Sequence, residues 1–364
     1  MKRGHEETYH RDPSEWSMPP CPVTKAYRND DFLNSSHARH IRILAEYEET
    51  QQRLRAQGVK ATVMIFGSAR AKNREQYDVA MAKEVEQMSS SPEGSEAYEA
   101  AAGAKARLEQ SEWMIEQMDK ITELSRRLTE WGFTARYNPG TTISGVARSS
   151  ELKRRIERSN SQERGLPNLA NKETSYSYVA HSSDTTAPSP HKEESRGRRK
   201  TQSIFICTGG GPGFMEAANK GAYQAEGRSI GMGITLPFEK GLNPYVTPEL
   251  AFEYHYFFTR KFWMAFYMQA LVVAPGGFGT CDELFEIVTL KQTGKMNKQI
   301  PIVLFGKQYW EDIINWKALA RYGTIKEEDI SSLLFTDSIE EAFEYVTQRL
   351  LEGAAMVDDY DHGD

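Results

Sequence analysis

Cysteine is scarce in this chain of 364 residues: Cys21, Cys207 and Cys281 are all there is. Three scattered thiols make no disulfide framework and no zinc site, and they fit a reducing compartment. Charge of one sign is lacking too. The formal net charge is −6, so the chain has no strong footprint for a nucleic-acid polymer. No long apolar run exists. The most aromatic stretch, Phe252 to Val273, is interrupted by Glu253, Arg260 and Lys261, which argues against a membrane span. The N-terminus, Met1 to Glu7, has no apolar core of a secretory signal. No His, Cys and Asp cluster stands at metal-ligand spacing, so neither a metal nor another cofactor is called for. These absences together point to a soluble, cytoplasmic protein.

What is present is an alternation of apolar strands and amphipathic helices. Val63–Phe66, Ile204–Cys207, Ser229–Ile234, Leu271–Ala274 and Ile302–Phe305 read as strands. Helices are expected over Ser36 to about Gln57, Gln76–Trp131 with a break at Ser90–Gly94, Met215–Glu226, Phe257–Met268, the amphipathic stretch Leu284–Leu290 running to about Gln292, Tyr309–Tyr322 and Ile339–Leu351. Strands apolar throughout and separated by helices predict a parallel sheet covered on both faces. The fold class is therefore α/β, a Rossmann-like doubly wound sheet. Residues 1–25 read as a tail rich in proline. Residues 138–200 are dominated by Ser, Arg, Glu, Asn and Pro, with too few apolar groups to offset ordering entropy. They read as a disordered insertion, with a short helix near Glu151–Arg158. Residues 26–137 and 201–352 then form one domain, and 353–364 an acidic tail.

Ligands of doubly wound sheets bind at the carboxyl ends of the strands. Gly67, Gly209 and Gly276 all fall there. Two glycine runs stand out. Thr208-Gly209-Gly210-Gly211-Pro212-Gly213 joins a strand to a helix but fails the dinucleotide spacing, because Phe214 occupies the place of the third glycine. Pro275-Gly276-Gly277-Phe278-Gly279-Thr280 does the same after the next strand. Such a turn lets the backbone approach a phosphate while the first helical N–H groups point at it. Two runs on one sheet predict opposing walls of a single pocket. Glu283 is expected in the first helical turn, kept ionised by the helix N-terminus. The aromatic helix carrying Arg260 and Lys261 is apolar nearly all round and so reads as buried, which burial against a second subunit would suit, with its two cations reaching a ligand.

Gly-Gly-Gly before a helix, Arg-Lys in an aromatic helix, and Pro-Gly-Gly-x-Gly-Thr-x-x-Glu at 275–283 resemble the LOG family of nucleoside 5′-monophosphate phosphoribohydrolases, once labelled lysine decarboxylases. The likeness covers about 62–137 and 201–350. It implies a homodimer with active sites near the subunit interface. By motif it implies Arg260 and Glu283 as the catalytic pair. It also implies Ser68, Gly210, Gly211, Met215, Lys261, Gly276, Gly277, Gly279 and Thr280 as substrate contacts. The chain departs from plant cytokinin-activating members, which have one more residue where Pro212 stands alone.

The expected reaction takes a nucleoside 5′-monophosphate such as AMP, or a cytokinin nucleotide, and water to free base and ribose 5-phosphate. Cleaving an N-glycosidic bond builds positive charge on the ribose, which Glu283 can stabilise while the phosphate cradle supplies positioning energy. A non-catalytic carrier of a nucleotide or phosphorylated cofactor is the alternative, and a pure binder could dispense with both Arg260 and Glu283. A pyridoxal-dependent decarboxylase would need a Schiff-base lysine with an acidic partner. Cys281 at a helix start has no adjacent histidine base, and the glycines already explain its turn. Glu286 shares a helix face with Glu283.

Overall fold

The computed structural model describes residues 23–137, 201–235, 241–296, 299–352 and 356–358. The 138–200 insertion, its short helix, nearly all of the N-terminal tail and most of the acidic tail lie outside the described residues. The described residues divide into two compact units, one up to Glu49 and one from Thr50 on.

The first unit holds the short helix α1 (Asp30–Asn34) and the start of α2 (Arg39–Ala56). Asn29 caps α1, its Oδ1 accepting from the Phe32 N–H at 3.1 Å, as an N-cap side chain does.

The second unit is built on strands β1 (Thr62–Phe66), β3 (Phe205–Thr208), β4 (Ser229–Ile234), β5 (Ala251–Tyr254), β6 (Met268–Val273), β7 (Ile302–Phe305) and β8 (Leu333–Thr336). They form one seven-stranded sheet in the order β5-β4-β3-β1-β6-β7-β8. Every pairing in it is parallel. Residues of β1, β3, β6 and β7 are buried without alternation, the mark of strands covered on both faces. A separate antiparallel pair joins β2 (Ala135–Tyr137) to β9 (Met356–Asp358).

Helices α3 (Arg74–Ser90), α4 (Glu96–Ser111) and α5 (Met114–Thr134) follow β1. The break between α3 and α4 falls where Ser90–Gly94 predicts it. A capping box at Asn73 and Gln76 starts α3, and the Ser95 side chain caps α4. Helix α6 (Phe214–Gln224) follows β3, α7 (Phe257–Phe266) follows β5, and α8 (Phe278–Gln292) follows β6. The expected helix over 309–322 is two, α9 (Lys307–Ile313) and α10 (Trp316–Arg321), parted where Asn315 caps the second. Short α11 (Glu327–Ser331) and long α12 (Ile339–Glu352) end the unit. Helices α5 and α6 pack closely at Gly221, where a Cβ would stand 2.1 Å from the Thr122 carbonyl oxygen. The Ser125 hydroxyl seals the contact by donating to the Ala218 carbonyl at 2.6 Å.

Strand order reverses about β1. Chain moves outward through β3, β4 and β5 on one side and through β6, β7 and β8 on the other. That reversal is the switch point where doubly wound sheets open a crevice, and the loops after β1, β3 and β6 border it.

Candidate active site

The three loops are stitched together at Ser68. Its N–H donates to the Pro275 carbonyl at 2.9 Å, and its carbonyl accepts from the Phe214 N–H at 3.2 Å. Its hydroxyl accepts from the Arg70 N–H at 3.1 Å. Gly213 has φ +70, and a Cβ there would stand 2.2 Å from the Ser68 carbonyl oxygen, so only glycine permits the closure. Phe214, which breaks the dinucleotide spacing, is fully buried. It fills the space over Gly67, where a Cβ would come within 2.6 Å of its own.

Arg260 joins the walls. Its Nε donates to the Met232 carbonyl at 2.7 Å, and its Nη1 lies 3.6 Å from Glu283 Oε1, with side-chain exposures of 10% and 12%. At that separation the two are a charge pair rather than a hydrogen-bonded one. A Cβ on Gly209 would stand 2.5 Å from Arg260 Nη2 and 2.8 Å from Met215 Sδ, and one on Gly211 2.8 Å from Met215 Cε. The Gly209–Gly211 loop, Met215, Arg260 and Glu283 therefore form one neighbourhood. A Cβ on Gly276 would stand 2.1 Å from Thr280 Oγ1 and 3.0 Å from the Ser68 nitrogen, which brings Gly276, Thr280 and Ser68 into a second cluster beside it.

Glu283 differs from expectation twice. Helix α8 begins at Phe278, so Glu283 sits in the second turn rather than the first. Its pKa is raised, not held down. Burial of the carboxyl is the main cause, and the positive charges of Arg260 and Lys261 oppose it. The helix N-terminus is too far along the chain to dominate, because its influence fades after one turn.

Lys261 turns from the loops toward α8. Its Nζ lies 2.6 Å from Asp282 Oδ2 and 2.8 Å from Glu286 Oε2. Burial alone would lower its pKa, but the bonds to Asp282 and Glu286 outweigh it and the net shift is upward. Asp282, expected as mere first-turn charge, is thus half of a clamp between α7 and α8. Helix α7 is not buried all round. Thr259, Arg260, Trp263 and Met264 face inward, whereas Phe257, Phe258 and Phe262 are 53%, 58% and 39% exposed.

The glycines divide by what surrounds them. Around Gly277 and Gly279 a Cβ would meet nothing within 4 Å, so no protein neighbour demands glycine there. Among the described residues the N–H groups from Gly277 to Thr280 have no protein acceptor, as expected of a helix start. The Gly210 N–H is already taken, by Thr208 Oγ1 at 2.9 Å. Cys281 is no poised nucleophile, since burial raises its thiol pKa. A shallow groove of about 490 Å³ runs along α8, lined by Cys281, Asp282, Phe285, Glu286, Thr289 and Leu290. None of the glycines lines it, and the loops above define the site better.

Several contributors escaped the sequence. Thr208, Asn219 and Asn243 form a hydrogen-bonded network beneath the glycine triplet. The Tyr309 hydroxyl donates to the Gly276 carbonyl at 2.9 Å. Only Thr208, adjoining the triplet, had a positional signal.

Fold and site together define a doubly wound α/β protein with glycine loops and an Arg–Glu pair at its switch point. Residues 215–346 match the family described as "Possible lysine decarboxylase". That is the family to which the motifs pointed, and the match spans about a third of the chain. No curated protein is significantly similar to the chain. Among solved structures, the molybdenum cofactor binding protein of Rippkaea orientalis is 21% identical over 40% of this chain and 77% of its own, with a TM-score of 0.29. The Moco carrier protein of Chlamydomonas reinhardtii is 25% identical over 41% and 79%, with a TM-score of 0.28. A structural-genomics target is 23% identical over 40% and 78%, with a TM-score of 0.29. No helix among the described residues is long and apolar enough to cross a membrane.

Proposed function

We propose that the chain hydrolyses the N-glycosidic bond of nucleoside 5′-monophosphates, releasing free base and ribose 5-phosphate. The observation that carries the reading is the shielded Arg260–Glu283 pair, 3.6 Å apart, beside two glycine loops with open backbone donors. A binder needs the donors. It does not need a buried carboxylate held against a guanidinium, which is costly to desolvate.

In this reading the phosphate sits between the N–H groups at the start of α8, where Gly277 and Gly279 leave room, and the N–H of Gly211 on the opposing loop. Glu283 faces the ribose. As the C1′–N bond breaks, its electron pair leaves with the base, which takes up a proton, while water oxygen bonds to C1′ and the water releases the proton that balances it. The ionised Glu283 carboxylate stabilises the positive charge that develops on the ribose. Arg260, fixed by the Met232 carbonyl, keeps Glu283 ionised against burial and is placed to hold the leaving base. Thr280 and Ser68 shape the phosphate end, and Met215 lines the wall under Gly209 and Gly211.

A homodimer accompanies this reading. A second copy of the chain would cover the exposed Phe257, Phe258 and Phe262 of α7 and Phe278 and Phe285 of α8, which are 97% and 41% exposed. Sedimentation at micromolar concentration tests it, and a monomer would remove the dimer from the account.

Glu283→Gln keeps the shape and removes the charge. It is expected to lower kcat on AMP by about 10²–10⁴, the range for a lost acid–base or electrostatic group. Near-wild-type turnover in that variant would sink the assignment. AMP binding without release of adenine, by wild-type protein, would assign the site to a carrier instead.

A further inference from the structure

We propose that Asn243 is a positioning residue, which aims the backbone of the glycine triplet at the phosphate of the ligand. The inference rests on the functional reading above, that a phosphorylated ligand occupies the glycine loops.

Asn243 lies outside every motif of the chain, yet it makes more hydrogen bonds to the triplet than any other side chain described. Its Nδ2 donates to the carbonyls of Gly210 at 3.0 Å and Gly211 at 3.1 Å, and to Asn219 Oδ1 at 2.9 Å. Its own N–H donates to the Gly210 carbonyl at 2.7 Å. The amide cannot flip without loss. Its Oδ1 accepts from the Tyr245 N–H at 3.2 Å, and Asn219 Oδ1 also accepts from the Thr208 hydroxyl at 2.7 Å. Asn219 is itself oriented by donating through Nδ2 to Ser229 Oγ at 2.9 Å. Two amides, one threonine and one serine thus form a closed network under the loop.

The seat of Asn243 is built sterically as well. The neighbouring Leu242 side chain fills the space left by three glycines. A Cβ on Gly210, Gly231 or Gly233 would stand 2.6, 3.2 or 2.6 Å from it. Leu242 plugs that hollow, and Asn243 is delivered to the loop carbonyls.

The consequence follows from peptide geometry. In a planar trans peptide the carbonyl of one residue and the N–H of the next point in opposite directions. With the Gly210 carbonyl held by Asn243, the Gly211 N–H must point away from Asn243. Among the described residues it has no protein acceptor. The Gly211 carbonyl is held the same way, and the next nitrogen belongs to Pro212, which has no hydrogen to misdirect. The Gly210 N–H is spent on Thr208 Oγ1. Of the triplet's last two N–H groups, one is used to hold the loop and the other is left for a ligand. Asn243 determines which way that second one faces.

Asn243→Leu keeps the branched shape and neutrality of the residue but removes its side-chain donor, together with the acceptor of the Tyr245 N–H. Titration calorimetry with ribose 5-phosphate and with adenosine separates aiming from bulk structure. The Asn243 backbone N–H still holds the Gly210 carbonyl in the variant, so the aim is loosened rather than lost, and ribose 5-phosphate should weaken about three- to tenfold, with adenosine affinity unchanged. Equal affinity of wild type and variant for ribose 5-phosphate overturns the inference alone. Parallel loss of both ligands also overturns it, since that reports a general collapse of the pocket. Wild-type protein that fails to bind ribose 5-phosphate overturns the functional reading and the inference with it. Should Asn243→Leu fail to fold, Asn243→Ala carries the same comparison.

Discussion

Replacing Gly279 by alanine should make the protein more stable and less active at once. Gly279 lies in the first turn of α8, and a Cβ there meets nothing within 4 Å. Within a helix, glycine costs about 0.5–1 kcal/mol relative to alanine, mostly in backbone entropy. With no neighbour to displace, Gly279→Ala should recover much of that, raising Tm by about 1–4 °C for a unit of this size. The ligand would experience the opposite. A phosphate oxygen must come to about 2.9 Å from a helix-start nitrogen to accept its hydrogen, and a methyl group in the same sector holds it off. One charge-assisted hydrogen bond is worth about 1.5–3 kcal/mol, so KM for AMP should rise at least about tenfold. Thermal melting and initial-rate kinetics on the same preparation read both effects. Higher Tm with unchanged KM would mean that no ligand uses the open space, and the phosphate cradle would be wrong. Lower Tm would mean that the space is not open.

Three further outcomes are expected. Burial raises the Glu283 pKa above the ordinary 4.5, so kcat/KM should fall on the acid side at a pH higher than a free carboxylate would give. Lys261 is one of the charges opposing that rise, and Lys261→Met should therefore move the acid limb further up; a limb that stays put would show the Lys261 charge to be irrelevant. Lys291 is buried under the Ile300 and Ser332 carbonyls, and burial first, then Arg349, pushes its pKa down from 10.5 to about 8. Between those two values the unfolded chain holds the proton and the folded one releases it, so this group's contribution to stability rises with pH across about 8 to 10.5. Melting curves of wild type and Lys291→Met at several pH values should diverge over that window, and parallel curves would refute the shift.

The central sheet was legible because its strands are apolar without interruption. Val63–Phe66 and Ile302–Phe305 can be little else when buried on both faces. Strand β5 was not, since Phe252-Glu253-Tyr254 alternates and runs straight into the aromatic residues of α7. Strand β8 spans only Leu333–Thr336, and so short an apolar run cannot be told from a helix segment by periodicity alone. The aromatic content of α7 carries another kind of signal. Its three exposed phenylalanines follow the face opposite Arg260 and Trp263, and composition alone cannot tell a core from an uncovered surface. At the site, glycines and charged residues announced themselves, because a strand–glycine–helix sequence has a local mechanism. Asn243 did not. Its partners at Gly210 and Gly211 are more than thirty residues away, and only the folded chain brings them together.

The most direct measurement incubates the purified chain with AMP and follows adenine and ribose 5-phosphate by chromatography. The account predicts that both appear in equal amounts, at a rate that falls steeply in Glu283→Gln. Tight binding of AMP with no adenine released, repeated with CMP, GMP, UMP and a cytokinin monophosphate, would contradict it.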